Sequence, residues 1–71
     1  MTIVARWESR SGKHWVILQH SVNGYSYVAN GCGGSLGPVE SGVAAVTIMQ
    51  EKVDSGYFLP DNAKLPMRRI V

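Results

Sequence analysis

The stretch HWVILQHSVNGYSYVAN, His14 to Asn30, decides the fold. Two alternating apolar runs flank the dipeptide Asn23-Gly24, and Asn-Gly between such runs is a strong short-range hairpin signal. A type I′ turn needs positive φ at both central residues, and Asn and Gly accept it at least cost. Two antiparallel strands follow. In the first, Trp15, Ile17 and Gln19 point one way and Val16 and Leu18 the other. Apolar residues on both faces predict a central strand, covered by a helix on one side and partly on the other. In the second, Tyr25, Tyr27 and Ala29 share a face.

Upstream, TIVARW (Thr2–Trp7) reads as a further strand, with Ile3, Ala5 and Trp7 at period two. The polar run Ser9–Lys13 supplies a hairpin loop of ordinary length. Downstream, Gly31–Gly34 is expected to break the sheet, with Leu36 returning as a brief fourth strand. Pro38 suits a first helical turn, and Glu40 complements the helix dipole there. Val39, Val43, Val46, Met49 and Val53 fall near helical spacing and define the expected buried face, with Ile48 on the outer face beside Ala44 and Ala45. Gly56 is the expected stop. Val43 to Met49 is β-branched enough for a strand to be the fallback.

Tyr57-Phe58-Leu59 then packs back on the sheet or helix end, because Pro60 forbids continuation. Pro60 to Pro66 reads as irregular, and Met67–Val71 as an edge strand or a tail. The fold class is therefore α+β: a three-stranded, or four-stranded, antiparallel meander with one helix on one face. One domain spans residues 1–59, and residues 60–71 form a C-terminal extension.

Seventy-one residues hold one thin core, and a deep substrate cavity is hard to enclose in so short a chain. Seven Lys/Arg against five Asp/Glu leave a charge of +2, well below the basic density of a dedicated nucleic-acid binder. Arg6, Arg10 and Lys13 lie near one end, and Lys64, Arg68 and Arg69 near the other. If the ends meet, they form one basic patch opposite the acids Glu40, Glu51 and Asp54. A single cysteine, Cys32, excludes an internal disulfide framework and favours a reducing, cytoplasmic compartment. No apolar run approaches the roughly 18 residues of a membrane span, and no membrane partner is expected. The N-terminus lacks the apolar core of a secretory signal.

The glycines around Cys32 could form an anion-binding nest, with His14 or His20 activating the thiol. No third group orients either histidine, and the two lie at opposite ends of one strand. Cys32-Gly33-Gly34-Ser35-Leu36 resembles a short stretch of trypsin-like serine proteases, but that fold needs a far longer chain and a widely separated His, Asp and Ser. Gly12-Lys13-His14 lacks the spacing of a phosphate-binding loop. Two histidines and one cysteine fall short of a structural metal site. No catalytic residue, metal ligand or cofactor is expected.

What remains is a binding protein. Trp7, Trp15, Tyr25 and Tyr27 lie on adjacent strands, with Arg6, Arg10, Lys13, Arg68 and Arg69 around them, and Trp, Tyr and Arg dominate interface hot spots. The first expectation is a small non-enzymatic protein-binding module, an inhibitor or accessory subunit. Its size and low cysteine content are those of phage and mobile-element products that inhibit bacterial defence complexes, such as anti-CRISPRs. The alternative is a single-stranded nucleic-acid binder that stacks bases on the same rings. A homodimer through the terminal strand or the outer helix face is open.

Overall fold

The computed structural model describes residues 2–58 and 67–71. Five antiparallel strands form one sheet: β1 (Thr2–Ser9), β2 (Trp15–Ser21), β3 (Gly24–Ala29), β4 (Cys32–Ser35) and β5 (Met67–Arg69). Their spatial order is β4-β3-β2-β1-β5, so β2 lies at the centre and the last strand adds beside the first. One helix, α1 (Gly42–Asp54), packs across β1 and β2.

The hairpin predicted from His14–Asn30 is present, but its turn is shifted. Ser21 pairs with Gly24, leaving Val22 and Asn23 as the loop. Only Gly24 takes positive φ (107°), and Asn23 does not, so the turn is not of type I′. The β1 alternation is also interrupted. Ile3 pairs with Gln19 and Ala5 with Leu18, so Val4 is an extra residue in the strand. This bulge separates Ile3 from Ala5 and Trp7 and sends it to the opposite face.

The glycine run does not break the sheet, contrary to expectation. Cys32–Ser35 is itself strand β4, and Leu36 follows it, its amide donating to the Tyr25 carbonyl at 3.0 Å. Two contacts explain the glycines. Tyr27 stands opposite Gly34, and a Cβ on Gly34 would come within 3.0 Å of the Tyr27 hydroxyl. A Cβ on Gly33 would meet the Tyr27 carbonyl oxygen, also at 3.0 Å. An aromatic ring laid over a cross-strand glycine shields backbone that has no side chain of its own.

The helix starts later than Pro38. Ser41 is the N-cap, its Oγ accepting from the Ala44 amide at 3.2 Å, and no acidic residue falls in the first turn. That side-chain acceptor satisfies one of the amides left open at a helix start. Gly56 does end the helix. It takes φ of 78°, its amide donates to the Val53 carbonyl, and the Tyr57 amide reaches back to Lys52. This is the paired capping of a Schellman motif.

The buried helix face is Ala45, Met49 and Val53, one residue in four, and Val43 is 79% exposed. The core beneath it is Ala5 and Trp7 of β1, Val16 and Leu18 of β2, and Ala29 of β3. Trp7 is its largest wholly buried side chain. Its indole Nε1 donates to Gln50 Oε1 at 2.8 Å, and Gln50 Nε2 donates in turn to Asp54 Oδ1 at 2.9 Å. Truncation of Trp7 to Ala should cost about 3–5 kcal/mol in urea unfolding. Trp7→Phe should cost less, and Gln50→Leu in the wild-type background should cost about 1–3 kcal/mol by orphaning the indole N–H.

Candidate functional site

Antiparallel register sorts every strand residue to one of two faces, because paired residues point the same way. On the helix-covered face lie Trp7, Val16, Leu18, His20, Tyr25, Tyr27 and Ala29. On the other face lie Arg6, Glu8, Trp15, Ile17, Gln19, Ser26 and Val28. Among the described residues no element packs on that second face.

The four aromatics singled out from sequence therefore do not form one surface. Trp7 is wholly buried under the helix, so it is removed from the set of partner anchors. Tyr25 and Tyr27 are half-buried and pack against the core. The Tyr25 ring stacks on His20 with centroids 4.4 Å apart. Tyr27 meets Phe58 edge-on at 5.3 Å, Phe58 meets Tyr57 at 5.0 Å, and the Lys52 ammonium sits 4.4 Å above the Tyr57 ring. Tyr57 and Phe58 thus return to the sheet as expected, whereas Leu59 and the Pro60–Pro66 segment lie outside the described residues. Trp15 alone of the four occupies the open face.

The basic residues divide similarly. Strand β5 brings the C-terminus beside β1, with Arg68 opposite Glu8 and Arg69 opposite Trp7. Arg68 joins Arg6 on the open face, and Arg69 goes to the helix side, where its Nε donates to the Val71 carbonyl at 2.7 Å. Arg6 Nη2 lies 3.0 Å from Glu8 Oε1, while its buried Nε has no hydrogen-bond partner among the described residues. Arg10 and Lys13 stand exposed in the loop between β1 and β2. Asn30 braces that loop: its Nδ2 donates to the Lys13 carbonyl, and its Oδ1 accepts from the Trp15 amide, both at 2.6 Å. The brace fixes the backbone of Trp15 at the rim of the open face. Lys64 lies outside the described residues.

Sequence reasoning passed over the apolar part of this face. Ile17 pairs with Arg6 on one side and Val28 on the other, and the Ile70 amide donates to the Arg6 carbonyl at 2.8 Å. Ile70, Arg6, Ile17 and Val28 therefore form one row across the sheet. Glu8 stands between Arg68 and Trp15 in a second row. Ile3, displaced by the bulge and 53% exposed, adds to a third, with Gln19 and Ser26. The alternation in WVILQ carried the signal, since β2 has apolar residues on both sides.

A separate open groove of about 410 Å³ lies between the helix start and the sheet edge, lined by Val4, Val43, Val46, Thr47 and Arg69. Cys32 is exposed on β4 and pairs with Ala29, four residues along β3 from the position opposite His20. Among the described residues no three His, Cys, Asp or Glu side chains gather, and no helix is long and apolar enough to cross a membrane. Comparison with known proteins finds no matching family model and no similar curated protein or solved structure.

Burial, followed by the neighbouring Tyr57, pushes the Tyr27 phenol above its ordinary value of 10.0. A raised phenol pKa means the neutral form is favoured in the folded state. Its stabilisation is complete below pH 10 and is lost as pH rises through the folded value. Urea unfolding at successive alkaline pH values should show this decline, and Tyr27→Phe should reduce it.

Proposed function

We propose that the protein is a small, non-enzymatic binding module that docks a partner protein on the uncovered face of its sheet. The observation that carries this reading is the composition of that face. Trp15, Ile17, Val28, Ile3 and Ile70 lie on adjacent strands without a covering layer among the described residues. Arg6 and Arg68 stand among them, and Arg10 and Lys13 project from the adjoining loop. Apolar and aromatic side chains interleaved with arginines on one uncovered face match the residue types enriched in protein interfaces. Within it Trp15 and Ile17 are the anchors, Arg6 lies between Ile17 and Ile70, and Arg68 and Lys13 stand toward the edges. The cations suit a partner surface that carries carboxylates around an apolar patch. An inhibitor or accessory subunit that acts by occupying such a surface needs no chemistry of its own.

The alternative, stacking of single-stranded bases, draws less support. It requires several exposed rings in series, and Trp15 is the one aromatic among the open-face positions.

The test uses Trp15 as its own reporter. The chain has two tryptophans, so a Trp7→Phe variant leaves Trp15 as the sole tryptophan, excited selectively beyond the tyrosine band. A protein captured from host lysate should shift its emission on titration. Ile17→Glu and Trp15→Ala should weaken capture by tenfold or more, about 1.4 kcal/mol, with urea midpoints near wild type. Val43→Ser, on the exposed side of the helix, should leave capture unchanged. Salt-sensitive binding of single-stranded DNA or RNA, lost on removal of Arg6 and Arg68, would replace this reading with the nucleic-acid one.

A further inference from the structure

The two edges of the sheet are unlike each other. At one edge β5 is three residues long and carries Arg68 and Arg69. At the other, β4 has the sequence Cys-Gly-Gly-Ser, every residue of it exposed, with no charge and no proline. Lysine, arginine, proline and brevity are the usual protections of an edge strand against pairing with another chain. Strand β5 has two of them. Of these β4 has only its modest length.

The hydrogen-bond phase shows which groups β4 leaves open. The Leu36 amide donates to the Tyr25 carbonyl, and Ser26 pairs with Ser35. Hydrogen-bonded pairs alternate along an antiparallel ladder, so Tyr27 bonds with Gly34 and Ala29 with Cys32. The N–H and C=O groups of Gly33 and Ser35 therefore point away from the sheet. With glycine at two of four positions, another backbone can approach this edge without displacing side chains. Beside it, on the helix face, Tyr57 is 60% exposed and packs on Phe58, which contacts Tyr27, whose ring lies over Gly34.

We propose that β4 is a strand-addition site, and that its occupant is β4 of a second copy of this chain. A two-fold axis through Gly34 sets Gly33 of one copy opposite Ser35 of the other. Both pairs then exchange both main-chain bonds, about four hydrogen bonds in all. The same axis sets Cys32 against Leu36 on the helix face, and Gly34 against Gly34. No like charges meet. Pairing of β5 with itself about an axis through Arg68 would instead oppose Arg68 to Arg68, a destabilising arrangement. The association is therefore isologous and closes at two copies, in a continuous ten-stranded sheet.

Sedimentation equilibrium of the full chain over a range up to about 1 mM should show a monomer–dimer equilibrium. Ser35→Pro removes an outward N–H that makes no bond to β3, the position where an edge strand tolerates proline. It should weaken dimerisation by at least about tenfold while retaining the monomer's circular dichroism. A second measurement does not depend on that variant folding. In the wild-type protein the Gly33 and Ser35 amides should become protected from hydrogen exchange as concentration rises. A mass that stays monomeric, or grows beyond two copies, overturns the proposal. So does dimerisation that survives in a folded Ser35→Pro variant or leaves the Gly33 and Ser35 amides unprotected.

Discussion

A buried indole needs a hydrogen-bond acceptor, and the position of Gln50 meets that need for Trp7. Trp7 sits on β1, wholly enclosed, and a donor without a partner in such a place costs about 1–3 kcal/mol. The 2.8 Å bond to Gln50 sets the rotation of the helix about its axis. With Gln50 held over Trp7, Ala45, Met49 and Val53 turn inward, and Val43 and Thr47 turn to solvent. The residues around the indole follow from its volume. Ala5, Ala29 and Ala45 are all buried core residues, and small side chains at these places leave room for one large ring at native packing density.

That constraint also explains where the sequence was legible and where it was not. Alternation over Thr2–Trp7, His14–Val22 and Tyr25–Asn30 predicts three strands, and all three form, in meander order, as Thr2–Ser9, Trp15–Ser21 and Gly24–Ala29. The helix and its end at Gly56 were legible because they depend on local chemistry: apolar spacing, and a glycine able to take a left-handed φ. The helix phase was legible only in part: Met49 and Val53 are buried and Val39 and Val46 pack against the core as expected, but Val43 turns out and Ala45 turns in. Hydropathy favours Val43 over Ala45 as a core residue, whereas packing under a tryptophan favours the alanine. The bulge at Val4 was equally hidden, since Ile3, Ala5 and Trp7 alternate perfectly on paper. One inserted residue sent Ile3 to the other face, as a single-residue slip must.

The glycine strand is hidden for a related reason. Glycine is depleted in strands because it has no side chain to pack and loses most entropy on ordering. Propensity therefore treats Gly33-Gly34 as a break. Tyr27 overrides that preference by lying across Gly34 and supplying the cover the glycine lacks. The interaction is long-range in character though short in sequence, because it exists only once β3 and β4 are paired. It ties Tyr27 into the fold and draws it away from the candidate site. The same holds for Tyr25, stacked on His20. Of the aromatic and basic residues that the sequence suggests as one surface, the structure gathers Arg6, Trp15 and Arg68 on one face, with Arg10 and Lys13 in the loop beside it.

Among the described residues the sheet has one covered face and one open face. A helix of 13 residues is about 20 Å long, and a five-stranded sheet is about as wide, so one helix covers one face and no more. A sheet with one wet face ordinarily carries polar residues there. Here β2, the middle strand, carries Ile17 at the centre of that face and Trp15 toward its rim, continued by Val28 on β3. Trp15 and Ile17 are half-buried and Val28 exposed, and threonine at these positions would keep strand propensity with less apolar surface. The fold does not require Ile17 and Val28 to be apolar, because the Trp7 core lies entirely on the other side. Under the proposed reading, a partner protein that buries this face accounts for its composition.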